Sequence, residues 1–167
     1  PIIRKRKRES IEQGSTIRIG SPYIEKISGE VRLCSEIELH EQKQIMWFSV
    51  SESYGTYLVE DRADAFVIAL LTVAMRERSD IVCAVPVTTR LLYQINQYLI
   101  PTMTLNMEEF HPVKVYAEPT DEVLECEGAV ATGWTGGVDS MFTYMQNVYS
   151  ANPVHRLTHL LIANNGA

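Results

Sequence analysis

Residues 128–147 read GAVATGWTGGVDSMFTYMQN, and this stretch decides the reading of the chain. The apolar run from Gly128 to Trp134 predicts a short strand, Thr135 to Ser140 a glycine turn, and Met141 to Asn147 a helix. Strand, glycine turn and helix start stand in the order needed to hold a phosphate. Two glycines let backbone N–H groups approach an anion closely, and the helix adds unpaired N–H donors and the positive end of its dipole. Asp139 and Ser140 fall where a helix is capped. Asp139 is therefore expected to cap the helix or organise a cation, and the Ser140 hydroxyl to point back at a phosphate oxygen. The same string also suits an ordinary turn with a capped helix.

Working outward, a second apolar run, Leu157 to Ala163, follows Pro153 and predicts another strand. A strand, a helix and a strand would open a doubly wound, mostly parallel nucleotide-binding sheet. Such a sheet needs further βα units to cover both faces. The chain is accordingly expected to be the N-terminal part of a longer protein, or else to receive the missing strands from another chain.

The string TGGVDS resembles the SGGxDS signature of the PP-loop ATP pyrophosphatases, a branch of the adenine nucleotide alpha-hydrolase-like superfamily. Thr135 stands for the first Ser and keeps its hydroxyl, Gly136 and Gly137 are the glycines, Val138 is the free position, and Asp139 and Ser140 complete the motif. The resemblance covers Ala129 to Ala163, about a fifth of the chain. It implies that Thr135, Gly136, Gly137, Asp139 and Ser140 bind the phosphates of ATP with Mg²⁺, and that Asp139 and Ser140 take part in catalysis. The implied reaction is adenylation of a substrate oxygen with release of pyrophosphate, followed by ligation or amidation. Within the superfamily, the Val-Asp-Ser form looks like the amidotransferase and deazaguanine nitrile synthase types, and the cysteines of tRNA-thiolating relatives are not visible. The substrate stays open. So does the alternative of a non-catalytic ATP- or AMP-binding module that regulates or scaffolds.

Upstream, Glu30 to Leu39 alternates strictly, with Val31, Leu33, Ile37 and Leu39 opposite Arg32, Glu36 and Glu38, which predicts a half-buried strand. Gln44 to Val50 is its expected antiparallel partner. Between Asp61 and Arg78, the residues Ala63, Phe66, Val67, Leu70, Leu71, Ala74 and Met75 keep helical spacing. Ile81 to Val85 predicts a buried strand. Thr88 or Thr89 is expected to cap a helix carrying Leu91, Leu92, Ile95 and Leu99, and Val113 to Ala117 predicts another strand. Trp47, Tyr93 and Tyr98 are expected in the core rather than lining a ligand pocket. The order describes a small N-terminal α/β domain over 1–120. An acidic stretch from Glu118 to Glu127 reads as a solvated linker, and 128–167 as the nucleotide-binding unit.

Composition bounds the rest. The 167 residues are 46% hydrophobic and 22% charged, enough for a packed core. The run Arg4 to Arg8 gathers five positive charges and leaves 10 basic against 21 acidic residues elsewhere, a balance of −11 within a net −6. Such a run more often reads as a solvated tail or edge than as a local contact for nucleic acid or an acidic partner, and the acidic body argues against a broad nucleic-acid-binding face. Cys34, Cys83 and Cys126 are widely spaced and lack CxxC spacing, which suits buried thiols in a reducing cytoplasm. The longest apolar stretch, Ala65 to Met75, is too short to span a bilayer, so no membrane partner is expected. His155 and His159 stand four apart, yet Pro153 favours strand or loop there, where that spacing does not converge on a metal. No Gly-x-Ser-x-Gly, HExxH or Walker lysine occurs. Without a Walker lysine, phosphate charge must be met by backbone N–H groups, hydroxyls, Mg²⁺ or a basic residue elsewhere.

Overall fold

The computed structural model describes residues 15–124, 128–152 and 155–163. The basic run Arg4 to Arg8, Cys126 and Pro153 lie outside the described residues. The chain divides into two compact units, 1–122 and 123–167. Both are α/β; among the described residues the first pairs strands both parallel and antiparallel and holds three α-helices, and the second holds one parallel pair and one α-helix.

The first unit is built on a six-stranded mixed sheet. Strand β1 (Thr16–Ile19) lies inside it, antiparallel to β3 (Glu30–Leu39) on one side and parallel to β5 (Asp80–Cys83) on the other. β2 (Tyr23–Ile27) also pairs with β3, as does β4 (Gln42–Ser51) along its opposite side. A short parallel β7 (Val115–Tyr116) closes the far edge on β5. β6 (Val87–Thr88), which follows β5 in the chain, and β8 (Pro119–Thr120), which follows β7, form a separate parallel pair.

Helix α1 (Asp64–Glu77) packs its apolar face on this sheet. Phe66, Val67, Leu71, Ala74 and Met75 are buried together with Ile17, Ile19 and Ile81, as the helical spacing predicts. Phe48 of β4 meets Phe66 with ring centres 5.2 Å apart. The helix ends in a left-handed Arg78, φ 54°, with Ser79 N–H donating to the Ala74 carbonyl at 2.9 Å. Arg62, just before α1, is buried and donates to the exposed Asp61 carboxylate at 2.9 and 3.2 Å. That guanidinium holds the Asp61 carboxyl below its ordinary range.

Several expectations are corrected. The helix after β6 is three segments in series: α2 (Thr89–Gln94), a π-helical turn (Ile95–Leu99) and α3 (Ile100–Asn106). Thr88 takes the N-cap position, but its side chain makes no capping bond; its hydroxyl and N–H both donate to Asp64, the N–H at 2.9 Å. Trp47, Tyr93 and Tyr98 are half-exposed rather than core. Arg32 covers the Trp47 ring at 4.0 Å, and the two tyrosines pack edge to face at 5.7 Å. Cys34 is buried and Cys83 partly so, and burial pushes the Cys83 thiol up to about 11. Among the described residues no helix is long and apolar enough to cross a membrane.

β3 and β4 join through His40 and Glu41, with Leu39 opposite Gln42. Both linking residues have positive φ, 51° and 62°, the conformation of a two-residue type I′ hairpin turn, which Asn-Gly suits best. Neither side chain is favoured there. Replacing His40→Asn together with Glu41→Gly is expected to stabilise the fold by about 1–2 kcal/mol. A raised urea midpoint at unchanged slope checks this. A lowered midpoint would show instead that the His40 to Glu77 contact, 3.7 Å, outweighs the backbone strain.

Candidate functional site

The second unit holds the TGGVDS loop. β9 (Ala131–Gly133) and β10 (His159–Leu161) run parallel, with Ala131 opposite His159 and Gly133 opposite Leu161. Between them lies α4 (Val138–Asn147). Trp134 N–H donates to the Leu161 carbonyl at 2.8 Å, so pairing reaches the first residue past β9. Thr158 clasps the other end, its Oγ1 accepting from Val130 N–H at 2.8 Å. Trp134 also packs edge to face on Tyr144 of α4, ring centres 5.7 Å apart. Loop, strand end and helix start are thereby tied together. This aromatic pair escaped sequence reasoning, although its residues flank the motif.

Each motif residue has a distinct place. Gly136 is left-handed, φ 75°, and a Cβ there would meet nothing within 4 Å. Its requirement for glycine is conformational. Gly137 is extended and forms the N-cap of α4. A Cβ there would only touch Thr135 Oγ1 at 3.5 Å, an ordinary contact, so the loop tolerates a side chain at this position. Thr135, Gly136, Gly137 and Asp139 are exposed, whereas Ser140 is buried at 9%.

The capping expectation is corrected here. Gly137 is the N-cap, which makes Asp139 and Ser140 the second and third helical residues, and no side chain caps the helix. The Ser140 hydroxyl donates to the Gly137 carbonyl at 2.9 Å rather than outward. Thr135 Oγ1 contacts Ser140 Oγ at 3.4 Å and accepts from Gly137 N–H at 3.4 Å. The two hydroxyls thus shape the turn from inside. What the turn leaves without partners inside the helix is backbone: the first-turn N–H groups of Val138, Asp139 and Ser140, which have no carbonyl four residues back within the helix. The Asp139 carboxylate stands beside them with no partner among the described residues, where a helix start favours negative charge.

These residues can hold an anion through backbone donors. They also fit a magnesium ion, which keeps most of its waters and takes one carboxylate together with phosphate oxygens. The only permanent cation among the described residues of this unit, Arg156, donates to the Ser150 carbonyl at 2.9 Å. His155 lies at a turn and His159 in β10, and among the described residues no group of three or more His, Cys, Asp or Glu side chains clusters for a metal.

The first unit contains a groove of about 640 Å³ between the π-helical turn, α3 and β7, lined by Asn96, Ile100, Thr104, Lys114 and Tyr116. It gathers one basic side chain and no carboxylate, so the chemistry points to the loop instead. In comparisons with known proteins, no protein-family model, no curated protein and no solved structure matches the chain.

The two glycines should separate on substitution. Gly136→Ala is expected to destabilise the second unit by about 1–2 kcal/mol, because alanine is strained at positive φ. Gly137→Ala should cost about 0.5 kcal/mol, the loss of a favourable N-cap residue. Hydrogen exchange of the α4 amides measures both. Equal costs would mean that the turn does not hold Gly136 in the left-handed form.

Proposed function

We propose that the chain binds ATP with Mg²⁺ at Thr135 to Ser140 and serves the adenylation of a substrate oxygen, releasing pyrophosphate before ligation or amidation. One observation carries this reading: a glycine turn between a strand and a helix presents the open first turn of α4 and an unpartnered Asp139 carboxylate on the same exposed loop. Helix-start N–H groups are suited to phosphate oxygens. Gly137, without a side chain, leaves room for an anion to approach the backbone.

In this reading a substrate oxygen attacks the α-phosphorus, a P–O bond forms, and the bond to the β-phosphate oxygen breaks. The chain contributes by meeting the charge that builds on the departing pyrophosphate, with backbone donors already oriented and so needing little reorganisation. Asp139 would hold Mg²⁺ against the phosphate oxygens. Thr135 and Ser140 keep the turn in shape, and the Ser140 proton reaches a phosphate oxygen only by leaving the Gly137 carbonyl.

We read β9, α4 and β10 as part of a doubly wound sheet. The exposed stripe Val138, Met141, Phe142 and Met145 on α4 supports this, because in such a fold apolar helix faces are covered by neighbouring elements. Binding without turnover is a second reading. It is favoured by the lack of a basic side chain on the loop.

Asp139→Asn is expected to weaken Mg·ATP binding about tenfold or more, since a charged contact contributes roughly 1.5–3 kcal/mol. Far-ultraviolet dichroism should stay unchanged, because Asp139 is exposed and caps nothing. Calorimetry with Mg·ATP measures the first effect, and a pyrophosphate-release assay separates turnover from binding alone. Undiminished affinity in this variant would remove Asp139 from the site.

A further inference from the structure

Among the described residues, strand β4 is an edge with little of the usual protection. Among the described residues it pairs only with β3, and none of its residues is fully buried. Its pairing runs unbroken from Ser51 opposite Glu30 to Gln42 opposite Leu39, so no bulge twists the edge away. It contains no proline and one charge, Lys43, whose ammonium is drawn across onto Glu36 at 2.7 Å. Natural sheets blunt long edges with lysines, prolines, bulges or cover. The opposite edge shows such a device: Asn96 donates to the Val115 carbonyl and accepts from its N–H, both at 3.1 Å, and so occupies the outward backbone groups of β7.

We propose that β4 is a dimer interface, pairing antiparallel with β4 of a second copy about a two-fold axis through Met46. The register follows from the side chains. Ile45 and Trp47 stand on the sheet face away from α1, opposite Glu36 and Cys34, and are 52% and 48% exposed. A two-fold perpendicular to the sheet keeps like faces together and places residues of equal parity opposite one another. Centred on Met46, it sets Ile45 of each copy against Trp47 of the other, an aromatic and β-branched pair of the kind that stabilises sheets. Gln42 then lies opposite Val50, and Lys43 opposite Ser49, so no like charges meet. Centring on Trp47 would leave Ile45 against Ser49. The pairing uses up the β4 edge, Asn96 occupies the β7 edge, and the Glu60 carboxylate takes the Ile24 N–H on the free side of β2, so the assembly closes at two copies.

Sedimentation velocity of the chain at micromolar concentration tests the interface, and cysteine cross-linking tests its register. The expected mass is that of a dimer, and Ile45→Lys should return it to a monomer with unchanged dichroism. Opposed residues at the axis bring their Cα atoms to about 4.5–5.5 Å, within disulfide reach, so Met46→Cys should give a reducible cross-linked dimer above the background of the parent chain. Ser49→Cys should not, because its two copies would stand roughly 20 Å apart along the strands. A monomeric parent chain, an open-ended series of larger masses, a dimer that survives Ile45→Lys, or cross-linking at Ser49 rather than Met46 would each overturn the proposal.

Discussion

Backbone hydrogen-bonding groups must be paired or solvated, and this constraint organises both units. In the first, β1 is paired on both sides, antiparallel to β3 and parallel to β5, and can therefore be buried with Ile17 at 0% and Ile19 at 1% exposure. It joins a hairpin half of the sheet to a βα half. The core of α1 and β5 is laid on it. Where pairing stops, the fold either supplies a substitute, as Asn96 does at Val115, or leaves the groups open, as along β4.

The start of α4 obeys the same constraint. A helix leaves its first N–H groups unpaired, and side chains often take them up. Here none does, since Gly137 has no side chain and the Ser140 hydroxyl turns to the Gly137 carbonyl. The loop is shaped internally by Thr135 and Ser140 and stays open outward, the condition an anion site requires. Asp139 adds the charge that a magnesium ion bridging to phosphate would need.

Much of this was legible in the residues. The alternation of Glu30 to Leu39 and the helical spacing from Ala63 to Met75 each turn an apolar face to the core, so periodicity identified β3 and α1 directly, although Cys34 is buried on the other face of β3. The strand, turn and helix order around TGGVDS was legible for the same reason, although β9 is shorter than the apolar run that announced it. β1 was missed. Four residues between other turns give almost no periodic signal, and its central position depends on pairing with strands distant in sequence. The π-helical turn was also hidden, because Leu91, Leu92, Ile95 and Leu99 suit a continuous helix, and only the pairing of Asn96 with Val115 shows what the altered turn positions. At the candidate site the residue types were legible but their roles were not. Spacing cannot tell which of Gly137, Asp139 and Ser140 takes the cap, since that depends on where the Ser140 hydroxyl finds an acceptor.

The central claim is that the open backbone at the start of α4 receives phosphate. An amide-resolved titration of isotopically labelled chain with Mg·ATP tests it most directly. The account predicts saturable shifts concentrated at the amides of Gly136 to Ser140, with inorganic pyrophosphate competing for the same resonances. Shifts confined to other residues, or none at saturating nucleotide, would contradict it.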